Sequence, residues 1–216
     1  SEMCIRDRLG IIACATAGTI LAMHKKFDFF GCILVSMVNA IGGGTIRDVI
    51  LGRNPVFWTQ DLSYLYVITA VSLLVQVFIN YSHKIDGMLK FFDAIGLAAF
   101  SVIGFGVATS FNMPPVICVM MAVLTSIAGG IMRDMICNEI PLVLQKEIYI
   151  SASIAGCVVY FVLQQLGVVG VLREAAMLGT IFVVRMLAMR FDWHLPTLGG
   201  RSVSYTHLTL PTSDLV

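Results

Sequence analysis

Gly42-Gly43-Gly44-Thr45-Ile46-Arg47-Asp48 and Ala128-Gly129-Gly130-Ile131-Met132-Arg133-Asp134 are two versions of one stretch, and how they are read decides the fold. In each, a hydrophobic run meets a cluster of glycines, the residues most willing to leave helical geometry. An arginine and an aspartate then stand side by side, the arginine three residues after the last glycine. Only 12% of the chain is charged and 58% is hydrophobic, so ionisable groups inside apolar segments mark a functional site by default.

Soluble domains carry about 25% charged residues, and this chain of 216 residues has roughly half that share, with a mean hydropathy of +0.89. It reads as an all-α integral membrane protein. Apolar runs fall at about 9–23, 29–52, 62–80, 94–110, 115–137, 147–166 and 168–190. Each is near the ~20 residues that a bilayer core requires, so seven transmembrane helices are predicted. Net charge is +1 and no basic cluster is long enough to follow a phosphate backbone, which excludes nucleic acid as a partner. The cysteines (Cys4, Cys14, Cys32, Cys118, Cys137, Cys157) are scattered without a C-x-x-C pair and read as small apolar residues. No nucleophile–base constellation, zinc spacing or Gly-Lys phosphate loop is present, so neither an enzyme nor a metal or cofactor is expected. Residues 1–8 and 202–216 resemble translated sequencing adapter and are set aside as non-native ends.

Subtracting the twin positions, 133 − 47, gives 86, and this offset extends well beyond the motif. Gly18 falls on Gly104, Ala22 on Ala108, Ile50 on Ile136, Pro55 on Pro141 and Asp61 on Glu147. The chain is an internal duplication: residues 9–81, then 93–166, then a seventh helix at 167–197. Each unit holds three spans, and an odd number turns the second unit upside down, giving an inverted three-plus-three repeat. Lys25, Lys26, Lys84, Lys90, Lys146 and Arg190 lie on one side of the predicted spans, Arg53 and Arg173 on the other. The first side is therefore cytoplasmic, with the N-terminus outside and the C-terminus inside. Trp58 and Trp193 sit beside span ends as interfacial residues do.

Spans two and five are expected to break at Gly42, Gly43, Gly44 and at Gly129, Gly130. Broken backbone at membrane depth must line a watery cavity or be buried in protein. The half-helices opening at Thr45 and Ile131 would offer free N–H groups to a carboxylate, and the carbonyls before the break would suit a cation. Arg47 and Asp48 are adjacent, about 100° apart on a helix, which disfavours their pairing with each other. The expectation is crossed pairing, Arg47 with Asp134 and Arg133 with Asp48, which leaves open whether the pairs only lock the repeats or also line a path. Two further residues support the site. Asp93 reads as an acid at the start of span four, and Arg185 either snorkels or meets an acid in the bundle. Cys14, Gly18 and Ala22 form a small-residue stripe for close packing. His24, His83 and His194 flank spans and read as interface residues.

At these residues the chain resembles the bacterial glycine-transporter family, built from two copies of a three-helix domain and similar to TRIC-type trimeric intracellular cation channels. The resemblance covers about 9–197 and is carried by GGGTIRDVILGRNPVFW (Gly42 to Trp58), AGGIMRDMICNEIPLVL (Ala128 to Leu144), DAIG (Asp93 to Gly96) and RMLAMRFDWHLP (Arg185 to Pro196). Ala128 departs from the family's glycine triplet, and Asp7, the twin of Asp93, lies in the segment set aside. The family implies glycine transport in a bacterial inner membrane, while the channel relatives imply a homotrimer with a potassium-permeable path in each subunit. A site of half-helix N-termini, freed carbonyls and Arg/Asp pairs suits a zwitterion, which favours glycine; a membrane scaffold without transport would leave the paired glycine clusters unexplained. For topology, labelling single cysteines from outside intact cells should modify position 53 and spare position 84; the reverse pattern would invert the orientation.

Overall fold

The computed structural model describes residues 2–78, 85–145, 148–191 and 193. Among them it forms nine helices and no strand: α1 (Glu2–His24), α2 (Phe29–Ile50), α3 (Phe57–Gln60), α4 (Ser63–Phe78), α5 (Ile85–Ser110), α6 (Pro115–Ile136), α7 (Leu142–Gln145), α8 (Ile150–Gln165) and α9 (Gly170–Phe191). The short α3 and α7 are single turns of four residues each, which leaves seven helices of 16 residues or more. By length and composition α2, most of α5 and α6 can cross a membrane, and α4 and α8 are shorter apolar helices. Phe30, Leu74, Val77, Phe78, Val116 and Val158 point outward, a surface that suits lipid and not water. The cysteines at 14, 32, 118, 137 and 157 are buried and unbridged.

The duplication is written into the backbone. Lys26 and Asn112 both adopt left-handed φ, as do Gly52 and Asn138; 112 − 26 and 138 − 52 are each 86. In all four cases the residue ends a helix, and the next N–H bonds back to the last turn: Phe27 to Ala22, Met113 to Ala108, Arg53 to Asp48, Glu139 to Asp134. This is the left-handed closure that satisfies stray carbonyls at a helix end.

Glycines set how the helices meet, and here the expectation of broken spans is corrected. Both α2 and α6 run unbroken through Gly42–Gly44 and Gly129–Gly130, and the Thr45 hydroxyl bonds the Ile41 carbonyl one turn back. No half-helix N-terminus opens at Thr45 or Ile131. The glycines instead let two backbones touch. A Cβ on Gly43 would sit inside 3.0 Å of the Thr125 carbonyl oxygen, and one on Gly129 inside 3.0 Å of that of Asn39. These contacts exchange under the offset of 86, since 39 + 86 is 125 and 43 + 86 is 129. As α2 advances from 39 to 43 its partner recedes from 129 to 125, so the two helices cross antiparallel. The same exchange joins α1 and α5, where Gly10 packs on Ala99 and Phe100 and Gly96 on Cys14.

Gly129→Ala should therefore cost about 1–3 kcal/mol by overpacking, because the atom in the way is backbone. Gly87→Ala meets nothing within 4 Å and should be neutral or slightly stabilising. Thermal unfolding in detergent, comparing the two variants, checks this; equal melting temperatures would remove the close crossing as a constraint.

Candidate functional site: two buried arginine–carboxylate clusters

Helix α6 ends at Cys137, and Asn138 turns the chain towards Pro141 and α7. This turn brings the Leu142 N–H to Asp134, whose Oδ2 accepts it at 2.9 Å. The other oxygen of Asp134 accepts Arg133 Nε at 2.7 Å, so the arginine arm wraps round the helix end to its own neighbour. Arg133 Nη1 then donates to Asp93 Oδ1 at 2.9 Å, and the Tyr149 hydroxyl donates to Asp93 Oδ2 at 2.5 Å. Arg185 of α9 lies over the Tyr149 ring, 4.4 Å from its centre. Arg133 is 0% exposed and Asp93 5%. Charges this deep cost several kcal/mol each to desolvate, a cost offset only where hydrogen bonds saturate them. One donor is left over: Arg133 Nη2 is buried and has no hydrogen-bond partner.

The first repeat builds the counterpart at the end of α2. Arg47 donates from Nε and Nη2 to Asp48 Oδ1 at 2.8 and 2.6 Å, and Asp48 Oδ2 accepts the Phe57 N–H at 2.9 Å. Arg47 also faces the Phe57 ring at 5.6 Å, and Arg53 Nη1 lies 4.0 Å from Asp48. The Tyr64 hydroxyl donates to Asp7 at 3.5 Å, in the place that Tyr149 and Asp93 take in the second repeat. Trp58 Nε1 donates to Thr45 Oγ1 at 3.1 Å, so Trp58 ties α3 to α2 rather than serving only as an interfacial anchor.

The expected crossed pairs do not form. Gly129 is level with Asn39; Arg47 lies eight residues beyond that level and Arg133 four beyond it in the opposite direction, so twelve residues at 1.5 Å each separate the arginines by roughly 18 Å along the helices. That is far beyond the ~4 Å of a salt bridge. Each arginine turns instead to the adjacent aspartate, which the helix end makes reachable: with no further turn above it, the Asp carboxylate bends over the terminus to meet the next loop.

Space exists beside the second cluster. A cavity of about 270 Å³ reaches Asp134 and is lined also by His24, Asp86, Lys90 and Glu139. At its rim Lys25 pairs with Glu139 at 2.5 Å and, by hydrogen bond and charge, holds that carboxyl below the usual glutamate range. Elsewhere in the cluster, the bare Cα of Gly130 faces Arg133 Nη2, Asp93 Oδ1 and the Tyr149 hydroxyl, each 3.7–3.9 Å from where a Cβ would be. An unpaired donor, a carboxylate and a hydroxyl converge there on an unfilled side-chain position.

Comparison with known proteins shows the family. The glycine-transporter family model matches residues 4–80 and again 90–165. The chain belongs to the glycine-transporter family. It is 38% identical over 196 residues to the UPF0126 inner membrane protein YadS of Escherichia coli (strain K12), covering 88% of this chain and 93% of that protein. It is 36% identical over 200 residues to the UPF0126 membrane protein YvgT of Bacillus subtilis (strain 168), covering 89% and 95%. Among solved structures it is similar to the TRIC trimeric intracellular cation channel orthologue from Rhodobacter sphaeroides, at TM-score 0.85 and 32% identity over 89% of this chain and 99% of that one. A further TRIC cation channel matches at TM-score 0.80 and 31% identity, covering 92% and 98%.

In this member of the glycine-transporter family, Arg47 and Asp48 gather at one end of the α2–α6 crossing, and Asp93, Arg133, Asp134 and Arg185 at the other. Gly42, Gly43 and Gly129 lie in the crossing itself, Gly44 packs on the Phe57 ring, and Gly130 opens on the second cluster. Asp93 is not the start of a span: α5 begins at Ile85, and the acid sits inside the helix because Arg133 neutralises it. Arg185 neither snorkels nor, among the described residues, meets an acid. Lys84, Lys146, Glu147, His83 and His194 lie outside the described residues. Sequence reasoning missed Tyr64 and Tyr149. They are 85 apart rather than 86, because the second repeat is one residue shorter between Pro141 and Leu142 than the first between Pro55 and Phe57. Following that slip pairs the two tyrosines, and it undoes the match of Asp61 with Glu147, since the offset beyond the prolines is 85.

Asp93→Asn should leave Arg133 with Asp134 as its one carboxylate partner and cost about 3 kcal/mol. A double-mutant cycle on Asp93 and Arg133, read by thermal or denaturant unfolding, should couple by well over ~0.5 kcal/mol, and one on Arg47 and Asp134 should be additive within that figure. Coupling in the second cycle alone would restore the crossed pairs.

Proposed function

We propose that this protein carries a small solute across the bacterial inner membrane, glycine first among the candidates, along a path between two inverted three-helix halves. The Arg133 cluster closes the path at the cytoplasmic end and the Arg47 cluster at the outer end. The observation that carries this reading is the unpaired Arg133 Nη2 beside Asp93, Tyr149 and the bare Gly130. A solute carboxylate would complete the guanidinium, and an ammonium group would sit against Asp93 and Asp134. Little space remains for a side chain, as suits glycine. Lys25, Lys90 and Arg190 lie at that end, which supports a cytoplasmic orientation with the N-terminus outside. The antiparallel crossing at Gly43 and Gly129 blocks the way between the clusters, so α2 and α6 must separate for passage, as alternating access requires.

A second reading rests on the structural likeness to TRIC cation channels: a potassium-permeable path in each subunit of a homotrimer, with the same carboxylates replacing the ion's water. Flux of labelled glycine and of potassium, side by side into vesicles holding the purified protein, separates the two. Saturable glycine uptake supports the carrier, and potassium flux without it supports the channel; neither flux defeats both. Gly130→Ala is the sharper probe. Its new methyl makes only ordinary contacts, so stability should hold while glycine uptake falls about tenfold or more, the effect of ~1.4 kcal/mol.

A further inference from the structure

Arg185 is 3% exposed, yet among the described residues it forms no ion pair, and its Nε has no hydrogen-bond partner. It lies over the Tyr149 ring, a contact that stabilises a cation only modestly. A buried guanidinium left in this state is costly unless an anion completes it. Beside it lies a small cavity of about 50 Å³, lined by Arg185, Lys90, Leu142, Ile148, Met189 and Trp193. Lys90 supplies a second cation from α5, and it too has no ion pair among the described residues, although Asp86 stands one turn earlier on the same helix. The cavity's volume is well above the ~10–15 Å³ needed to admit a single water, and it leaves room for a small oxyanion group such as a phosphate or carboxylate. Trp193 is half exposed at the end of α9 and stacks on Phe191, as expected at headgroup level.

We propose that Arg185 and Lys90, with Trp193 as the outer wall, form a seat for one oxyanion at the flank of the inner cluster. The oxyanion is either a free ion or the phosphate of an anionic lipid; both present the same oxygens to a guanidinium and an ammonium. Occupancy reaches the path through contacts already described. Arg185 stacks on Tyr149, whose hydroxyl holds the Asp93 oxygen opposite the one that Arg133 uses. Fixing Arg185 fixes the Tyr149 ring, and with it the orientation of the Asp93 carboxylate. Arg185 is thus a positioning residue for the inner cluster.

The test measures binding and does not depend on transport. The full chain carrying Trp58→Phe has Trp193 as its remaining tryptophan and is placed in phosphatidylcholine nanodiscs. One arm titrates inorganic phosphate; the other raises the phosphatidylglycerol fraction without phosphate. The proposal expects a saturable change in Trp193 emission in at least one arm, weakened about tenfold, or ~1.4 kcal/mol, by Lys90→Gln and by Arg185→Gln. Saturation by phosphate identifies a free ion, and saturation by phosphatidylglycerol alone identifies the lipid. Because Arg185 is buried and its variant can misfold, the half-buried Lys90→Gln decides. No saturable change in either arm, or a Lys90→Gln titration equal to the parent, overturns the seat, whatever the transport assays give.

Discussion

The contact between the α2 and α6 backbones at Gly43 and Gly129 is the constraint on which the rest depends. A carbonyl oxygen occupies the place where each glycine would carry a side chain, so the helices approach as closely as backbones can. In lipid there is no hydrophobic drive to bring helices together, and close van der Waals packing of small residues supplies much of the association. Because the helices run antiparallel, this one crossing also sends their two Arg-Asp ends to opposite faces of the bundle. Two separate clusters, rather than one fourfold charge network, follow from the direction of the chain.

Each cluster manages buried charge in the same way. An aspartate at a helix end turns one oxygen to the N–H that opens the next short helix and the other to the preceding arginine. The cation gains as well, since the C-terminal end of a helix favours positive charge. The second cluster adds Asp93 and Tyr149 in tight contact, and leaves one arginine donor unused. A structural pair would be expected to saturate every donor, and the residual valence is what the proposed solute site rests on.

Much of this was legible in the residues. The offset of 86, read from the residues, also relates the helix ends at Lys26 and Asn112 and at Gly52 and Asn138, which the sequence alone did not single out. The role of the glycines was not legible, because the missing Cβ serves equally to break a helix and to admit a neighbouring backbone; only the partner decides. Asp93 was placed at a helix start since Asp86, Lys90 and Asp93 interrupt the apolar run, yet pairing with Arg133 lets the helix run through them. The adjacent Arg-Asp pair was misjudged by applying mid-helix geometry to residues in the last turn. Tyr149 escaped because a single deleted residue shifts the register of the repeat.

The two halves are alike but unequal, and the inequality has an energetic meaning. Gly42 receives the Met132 side chain, whereas its twin position carries Ala128. A perfectly two-fold molecule would have mirror states, open to one side or the other, of identical free energy. Breaking the symmetry at these few atoms lifts that degeneracy, and a difference of ~1.4 kcal/mol already skews the two populations tenfold. On the proposed carrier reading, the resting bias of the molecule would be set where its repeats disagree.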